Sequence, residues 1–158
     1  VIPHGHHNAH LDRLPFEEVK KLIEDCLSIF ETELKGFEAK RAVFNFPYNK
    51  TTPELEARIK TRVRAYRCHG PMINPLPGAD LVCIGTGGYG PDNAEHHLDE
   101  TIEDLLSHPS GWLVYNLHGL DDEGWGPIRA EYLERLLARL TKIESVTVVP
   151  TARALRQA

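Results

Sequence analysis

No apolar run in this chain of 158 residues approaches the roughly 20 needed to span a bilayer. Positive charge is not in surplus. Lys+Arg number 18 against 23 Asp+Glu, a formal net charge of −5 with histidine neutral, so nothing in the balance points to nucleic acid. Cysteine is scarce. Cys26, Cys68 and Cys83 are odd in number and widely spaced, and are expected as reduced thiols rather than a disulfide framework. Repeats, low-complexity tracts and linkers are missing, so residues 1–158 are expected to form one domain, or part of one. A secretory signal is also missing: Val1 is followed at once by Pro and His, and there is no initiator Met. An N-terminally incomplete domain is the expectation, with the compartment open and the cytoplasm favoured over the cell envelope. Hydrophobic content of 41% and charged content of 26% are ordinary for a soluble globular chain with a real core.

What is there begins at the first residues, Val1-Ile-Pro-His-Gly-His-His-Asn-Ala-His10. His6 and His10 stand four apart. Neutral imidazole is the commonest protein ligand for zinc and similar ions, and two at short spacing can close on one metal. A catalytic zinc usually takes three protein ligands, so a third has to come from elsewhere. His4 and His7 are expected as bystanders.

The apolar periodicity predicts alternating helices and strands. Pro15 to Lys35 reads as a helix, with Phe16, Val19, Ile23, Cys26, Phe30 and Leu34 on one face and Gly36 after its end. Arg41 to Phe46 reads as a strand stopped by Pro47-Tyr48-Asn49. Thr52-Pro53 opens a helix to about Arg62, and Val63 to Arg67 follows as a strand. Cys68 to Asp80 reads as a loop, Leu81 to Ile84 as a buried strand, and Gly85 to Pro91 as a glycine-rich turn. Asn93 to Ser107 is helical, with Leu98, Ile102, Leu105 and Leu106 inward. Trp112 to Leu117 is a strand ending at His118. Pro127 to Leu140 is an amphipathic helix, Ser145 to Val149 a last strand, and Thr151 to Gln157 a terminal helix. Short apolar strands between helices are the pattern of an α/β protein with a parallel sheet. The His-rich start, Pro47-Tyr48 and His118 fall at strand ends, where such folds gather functional residues.

These segments, in this order, resemble the NodB-like polysaccharide deacetylases, which hydrolyse acetamido groups on sugars. Their second motif, His-x-x-x-His, corresponds to His6-His7-Asn8-Ala9-His10, followed by a Leu and an acidic helix opening Leu-Pro-Phe-Glu-Glu-Val. Their third, Arg-x-Pro-Tyr-Gly or Phe-Ala-Tyr-Pro-Tyr-Gly, corresponds to Phe44-Asn45-Phe46-Pro47-Tyr48-Asn49. Their fifth, a strand ending in Leu-His, corresponds to Val114-Tyr115-Asn116-Leu117-His118. Arg67 is a loose match to the arginine of the fourth. Asn45 stands for the third motif's Arg and Asn49 for its Gly. The first motif, Thr-Phe-Asp-Asp, has no counterpart.

The resemblance implies a distorted (β/α) barrel lacking its first strand–helix units, and a metal-dependent hydrolase removing N- or O-acetyl groups from an acetylated amino sugar or polysaccharide. It implies His6 and His10 as ligands of a divalent metal, most readily zinc, with an Asp as the third. The Tyr48 backbone N–H becomes the oxyanion donor and His118 the general acid. Leu117, Pro47, Asn45, Arg67 and Trp125 become substrate contacts. Open barrel edges would call for a missing N-terminal segment or a second copy of the chain.

Asp121-Asp122-Glu123 follows His118 closely and reads first as a solvated acidic loop, with a pocket rim, or Asp121 or Asp122 in place of the missing aspartates, as the lesser alternatives. The runner-up reading is a non-catalytic metal- or carbohydrate-binding relative. A third is a nucleotide-binding α/β domain, on Gly85-Thr-Gly87-Gly-Tyr-Gly90. Against it, Pro91-Asp92 interrupts the start of the next helix, and Asp92, Glu95, Asp99 and Glu100 put negative charge where a pyrophosphate would sit. His96, His97 and His108 read as surface helix residues.

Overall fold

The structure, a computed structural model, describes residues 2–76 and 80–155. The chain divides into two compact units, Val1–Gly70 with Gly78–Gly85 and Pro71–Pro77 with Thr86–Ala158.

In the first unit, Pro15 caps helix α1 (Phe16–Glu33). Its buried stripe is Val19, Ile23, Cys26 and Leu27. Phe16 and Leu34, expected inward, are 42% and 36% exposed because they lie at the two ends of the stripe. Gly36 adopts φ +81°, as the sequence anticipates for a residue just past a helix. Strand β1 (Val43–Asn45) is shorter than expected, a 3₁₀ turn at Ala39–Arg41 taking its first residue. The Thr52 hydroxyl caps helix α2 (Pro53–Lys60) by accepting from Leu55 N, with Pro53 in the first turn. Strand β2 (Ala65–His69) pairs with β1 in parallel, Val43 opposite Ala65, Phe44 opposite Tyr66 and Asn45 opposite Arg67. Phe44, Phe46 and Tyr66 meet edge to face in the core with Leu11, Ile23, Leu27 and Ile59. Glu24 of α1 accepts from Arg58 at 2.5 Å and Arg62 at 2.6 Å, tying α1 to α2.

Strand β3 (Ile73–Asn74) lies inside the expected loop, and strand β4 is Cys83–Thr86. The order β1-β2-β4 makes a three-stranded sheet. Cys68 of β2 and Cys83 of β4 form a disulfide, which corrects the expectation of three reduced thiols. Spacing along the chain hid the pairing, because adjacent strands bring together residues 15 apart in sequence. Cys26 is free and buried.

In the second unit, helix α3 (Ala94–Ser107) and helix α4 (Ala130–Leu140) bury Leu98 and Ile102 against Tyr132, Leu136 and Leu140. Strand β5 is only Trp112–Leu113, antiparallel to β3. The expected strand to Leu117 ends early because the chain changes neighbours: Val114 N donates to Met72 O, then Asn116 N to Gly87 O. Ser145 to Val149 is not a strand. It has no ladder partner among the described residues, and Val148 is 55% exposed. A short helix α5 (Thr151–Ala154) follows, and the expected extension to Gln157 falls outside the described residues.

The protein is therefore mixed α/β with a small parallel sheet and five α-helices among the described residues. These residues form no closed barrel. No helix among them is long and apolar enough to cross a membrane.

Candidate functional site

The His-rich segment of the first unit is laid along β1. Asn45 N donates to Pro3 O at 2.9 Å, and Asn45 Nδ2 donates to His4 Nδ1 at 2.7 Å. His4, expected as a bystander, is thus an anchor of the segment. Asn45, expected to face substrate, directs its amide to that anchor. Gly5, at φ +80°, turns the chain against Pro47, whose Cγ would lie 3.5 Å from a Cβ placed there.

Backbone in the left-handed region concentrates in this segment and in the turn after β1. His7 has φ 62°, Asn8 49°, Tyr48 59° and Asn49 53°. A bulky residue such as Tyr48 seldom adopts this conformation, and such residues cluster where function over-determines the backbone. The turn also uses the two N–H groups after Tyr48: Asn49 N donates to Phe46 O and Lys50 N to Pro47 O. The Tyr48 side chain stays 52% exposed.

This turn meets the His segment. The His10 and Tyr48 rings stack with centroids 3.8 Å apart and planes 3° from parallel. His10 Nδ1 faces Asp12 Oδ1 at 3.5 Å, and both atoms are shielded from solvent with no hydrogen-bond partner among the described residues. A phenol lies on the imidazole face and a carboxylate stands near Nδ1. In metal centres a carboxylate accepts a hydrogen bond from a ligating histidine, whereas here 3.5 Å separates the two atoms without one. The His6 ring packs instead on His7, at 3.8 Å. Imidazole is a ligand for divalent cations such as zinc, and the two rings make separate contacts, His6 with His7 and His10 with Tyr48. No group of three or more His, Cys, Asp or Glu among the described residues is arranged to hold a metal ion.

Arg67, opposite Asn45 on β2, has its guanidinium pKa lowered by burial. A hollow of about 330 Å³ beside the turn is lined by Asp12, Asn49, Lys50, Thr51, Glu56, Cys68 and His69. Asn49 Oδ1 is buried without a partner among the described residues, so this wall offers unsatisfied acceptors. The sequence did not show the hollow, because four separated segments build it and no local pattern joins them.

The remaining candidates belong to the second unit. Leu117 is 41% exposed, His118 is exposed, and Trp125 is 58% exposed. The His118 and Trp125 rings meet edge to face at 5.4 Å and 80°. Asp121 Oδ1 accepts from Ala130 N at 2.9 Å and so holds the start of α4. Asp121 therefore has a structural role at the start of α4. Three glycines of the Gly85–Gly90 stretch meet protein atoms. A Cβ on Gly87 would lie 2.9 Å from Met72 Sδ, on Gly88 2.5 Å from Asn116 O, and on Gly90 2.6 Å from Trp125 Cζ2. Close packing accounts for these glycines without a phosphate.

Comparison of the chain with family models, with curated proteins and with solved structures finds no match.

Proposed function

We propose that this chain carries part of the active site of a metal-dependent hydrolase that removes acetyl groups from a carbohydrate, within a distorted barrel of the NodB-like kind. The observation that carries the reading is the stacking of His10 on Tyr48. Two motifs 38 positions apart, singled out separately by the resemblance, meet where β1 ends.

In this reading His6 and His10 hold a divalent metal, with Asp12 fixing the His10 ring. The bound cation supplies Lewis-acid polarisation of the acyl carbonyl and a water of lowered pKa. The Tyr48 backbone N–H, aimed by its left-handed conformation, donates to the oxyanion. His118 delivers a proton to the departing nitrogen, because an amine anion is too basic to leave unaided. Leu117 gives apolar surface for the acetyl methyl. The hollow beside the turn gives acceptors to sugar hydroxyls.

The second reading is a metal- or carbohydrate-binding relative without hydrolysis. The two separate in one experiment. Protein isolated from its natural source is assayed for acetate release from N-acetylglucosamine oligomers, before chelation, after it, and after zinc is restored. Release that chelation abolishes and zinc restores supports the hydrolase. Oligomer binding without release establishes the second reading. Neither release nor binding contradicts both.

A further inference from the structure

We propose that Trp125 is a positioning residue for His118, seated for that task by Gly90. The inference rests on the reading of His118 as the proton donor, and its geometry lies wholly within the second unit.

His118 opens a loop that closes on itself. A Cβ on Gly119 would lie 1.7 Å from Glu123 O, and one on Gly124 would lie 2.0 Å from His118 O. Only glycines allow the two strands of the loop to pass so closely, and Gly124 also has φ +88°. The loop is tied to the body of the unit through Asp121, whose N donates to Ile128 O and whose Oδ1 accepts from Ala130 N. The His118 carbonyl is therefore fixed, whereas its imidazole projects to the exposed surface.

Trp125 supplies what the backbone does not. Its six-membered ring lies on Gly90, where a Cβ would come within 2.6 Å of Cζ2 and 2.7 Å of Cη2. Gly126, at φ +63°, brings the backbone after Trp125 equally close: its own Cβ would meet Gly90 C at 2.7 Å. The Gly90 main chain blocks movement of the indole toward it. The His118 ring meets it edge to face, at 5.4 Å and 80°, the geometry in which a ring edge and a π face attract. The indole thus restricts the directions in which the exposed imidazole points. A proton donor held to one direction makes more of its encounters productive, and displacement of about 1 Å can cost as much as 10²-fold in rate.

The test uses the full-length protein with Trp125→Ala, Trp125→Phe and Gly90→Ala. Two readouts are taken: acetate release resolved into kcat and KM, and the NMR shift of the His118 ring protons, which the neighbouring indole displaces. The expected result for Trp125→Ala is a kcat lower by about 10-fold with KM within about twofold, and loss of the displaced His118 signal. Gly90→Ala, which pushes the indole away, should reproduce both, and Trp125→Phe should recover part of kcat. Trp125 is 58% exposed, so its two variants keep the assay interpretable if Gly90→Ala fails to fold. A rise in KM with kcat unchanged would make Trp125 a sugar platform and overturn the proposal. So would an undisplaced His118 signal in the unsubstituted protein. If the unsubstituted protein releases no acetate, the hydrolase reading fails, and the NMR arm still decides whether Trp125 orients His118.

Discussion

The imidazole of His10 lies flat on the phenol of Tyr48, 3.8 Å from centroid to centroid and 3° from parallel. Tyr48 holds this position only because its backbone is left-handed, at φ 59°. The turn and the ligand are therefore one arrangement, and loosening either should loosen both. Tyr48→Ala is expected to weaken zinc binding by about 10-fold, as for other residues that orient a ligand, while Tyr48→Phe keeps the affinity. Competition with a chromophoric chelator measures it. Equal affinity in Tyr48→Ala would show that the stack has no part in holding metal.

Asp12 stands at the other nitrogen of the same ring. Asp12→Asn keeps the volume and removes the carboxylate, and is expected to lower zinc affinity by about 10–100-fold with an unchanged circular dichroism spectrum. An unchanged affinity would mean that the 3.5 Å approach to His10 Nδ1 is incidental.

The Cys68–Cys83 disulfide closes a loop with a sequence separation of 15. Titration of thiols in denaturant without reductant should find one, Cys26. Reduction should lower unfolding free energy by about 3 kcal/mol, the chain-entropy value for such a loop. Three titratable thiols before reduction would contradict the pairing.

Three tyrosines make the fold sensitive to alkali. Burial, then hydrogen bonding to Glu56, pushes the Tyr66 phenol up. Burial, then Asp99, does the same for Tyr132. Burial pushes Tyr115 up to about 12. Folded-state values above the unfolded value of about 10 mean that the folded protein keeps protons the unfolded chain releases. The stabilisation is complete below about pH 10 and is lost as the pH rises through about 12. Urea midpoints should therefore fall across that window, together with tyrosinate absorbance appearing at unfolding. A flat midpoint would refute the assignment.

Helices were legible in the sequence, because α1, α3 and α4 each bury a stripe at helical spacing between caps that punctuate the chain. Strands were less so. The Trp112–Leu117 run is apolar enough for one strand, yet it exchanges one neighbour for another at Val114, a tertiary event that leaves no local mark. Ser145 to Val149 has the composition of a strand and no ladder to join among the described residues. At the candidate site, His10 and Tyr48 could be singled out from the motifs. The roles of His4, Asp12 and Gly90 could not, since each depends on a neighbour distant in sequence or on an orientation that spacing does not specify. Asp121 also holds the start of α4 through its Oδ1, a contact nine positions away that no local pattern showed.

The central claim is that the His-rich segment binds a metal. The most direct measurement is zinc content after equilibrium dialysis, for the unsubstituted protein and for the His6→Ala, His10→Ala double variant. The account predicts one zinc per chain in the first and none in the second, with both folded by circular dichroism. Equal zinc in the two, or none in the unsubstituted protein, would contradict it.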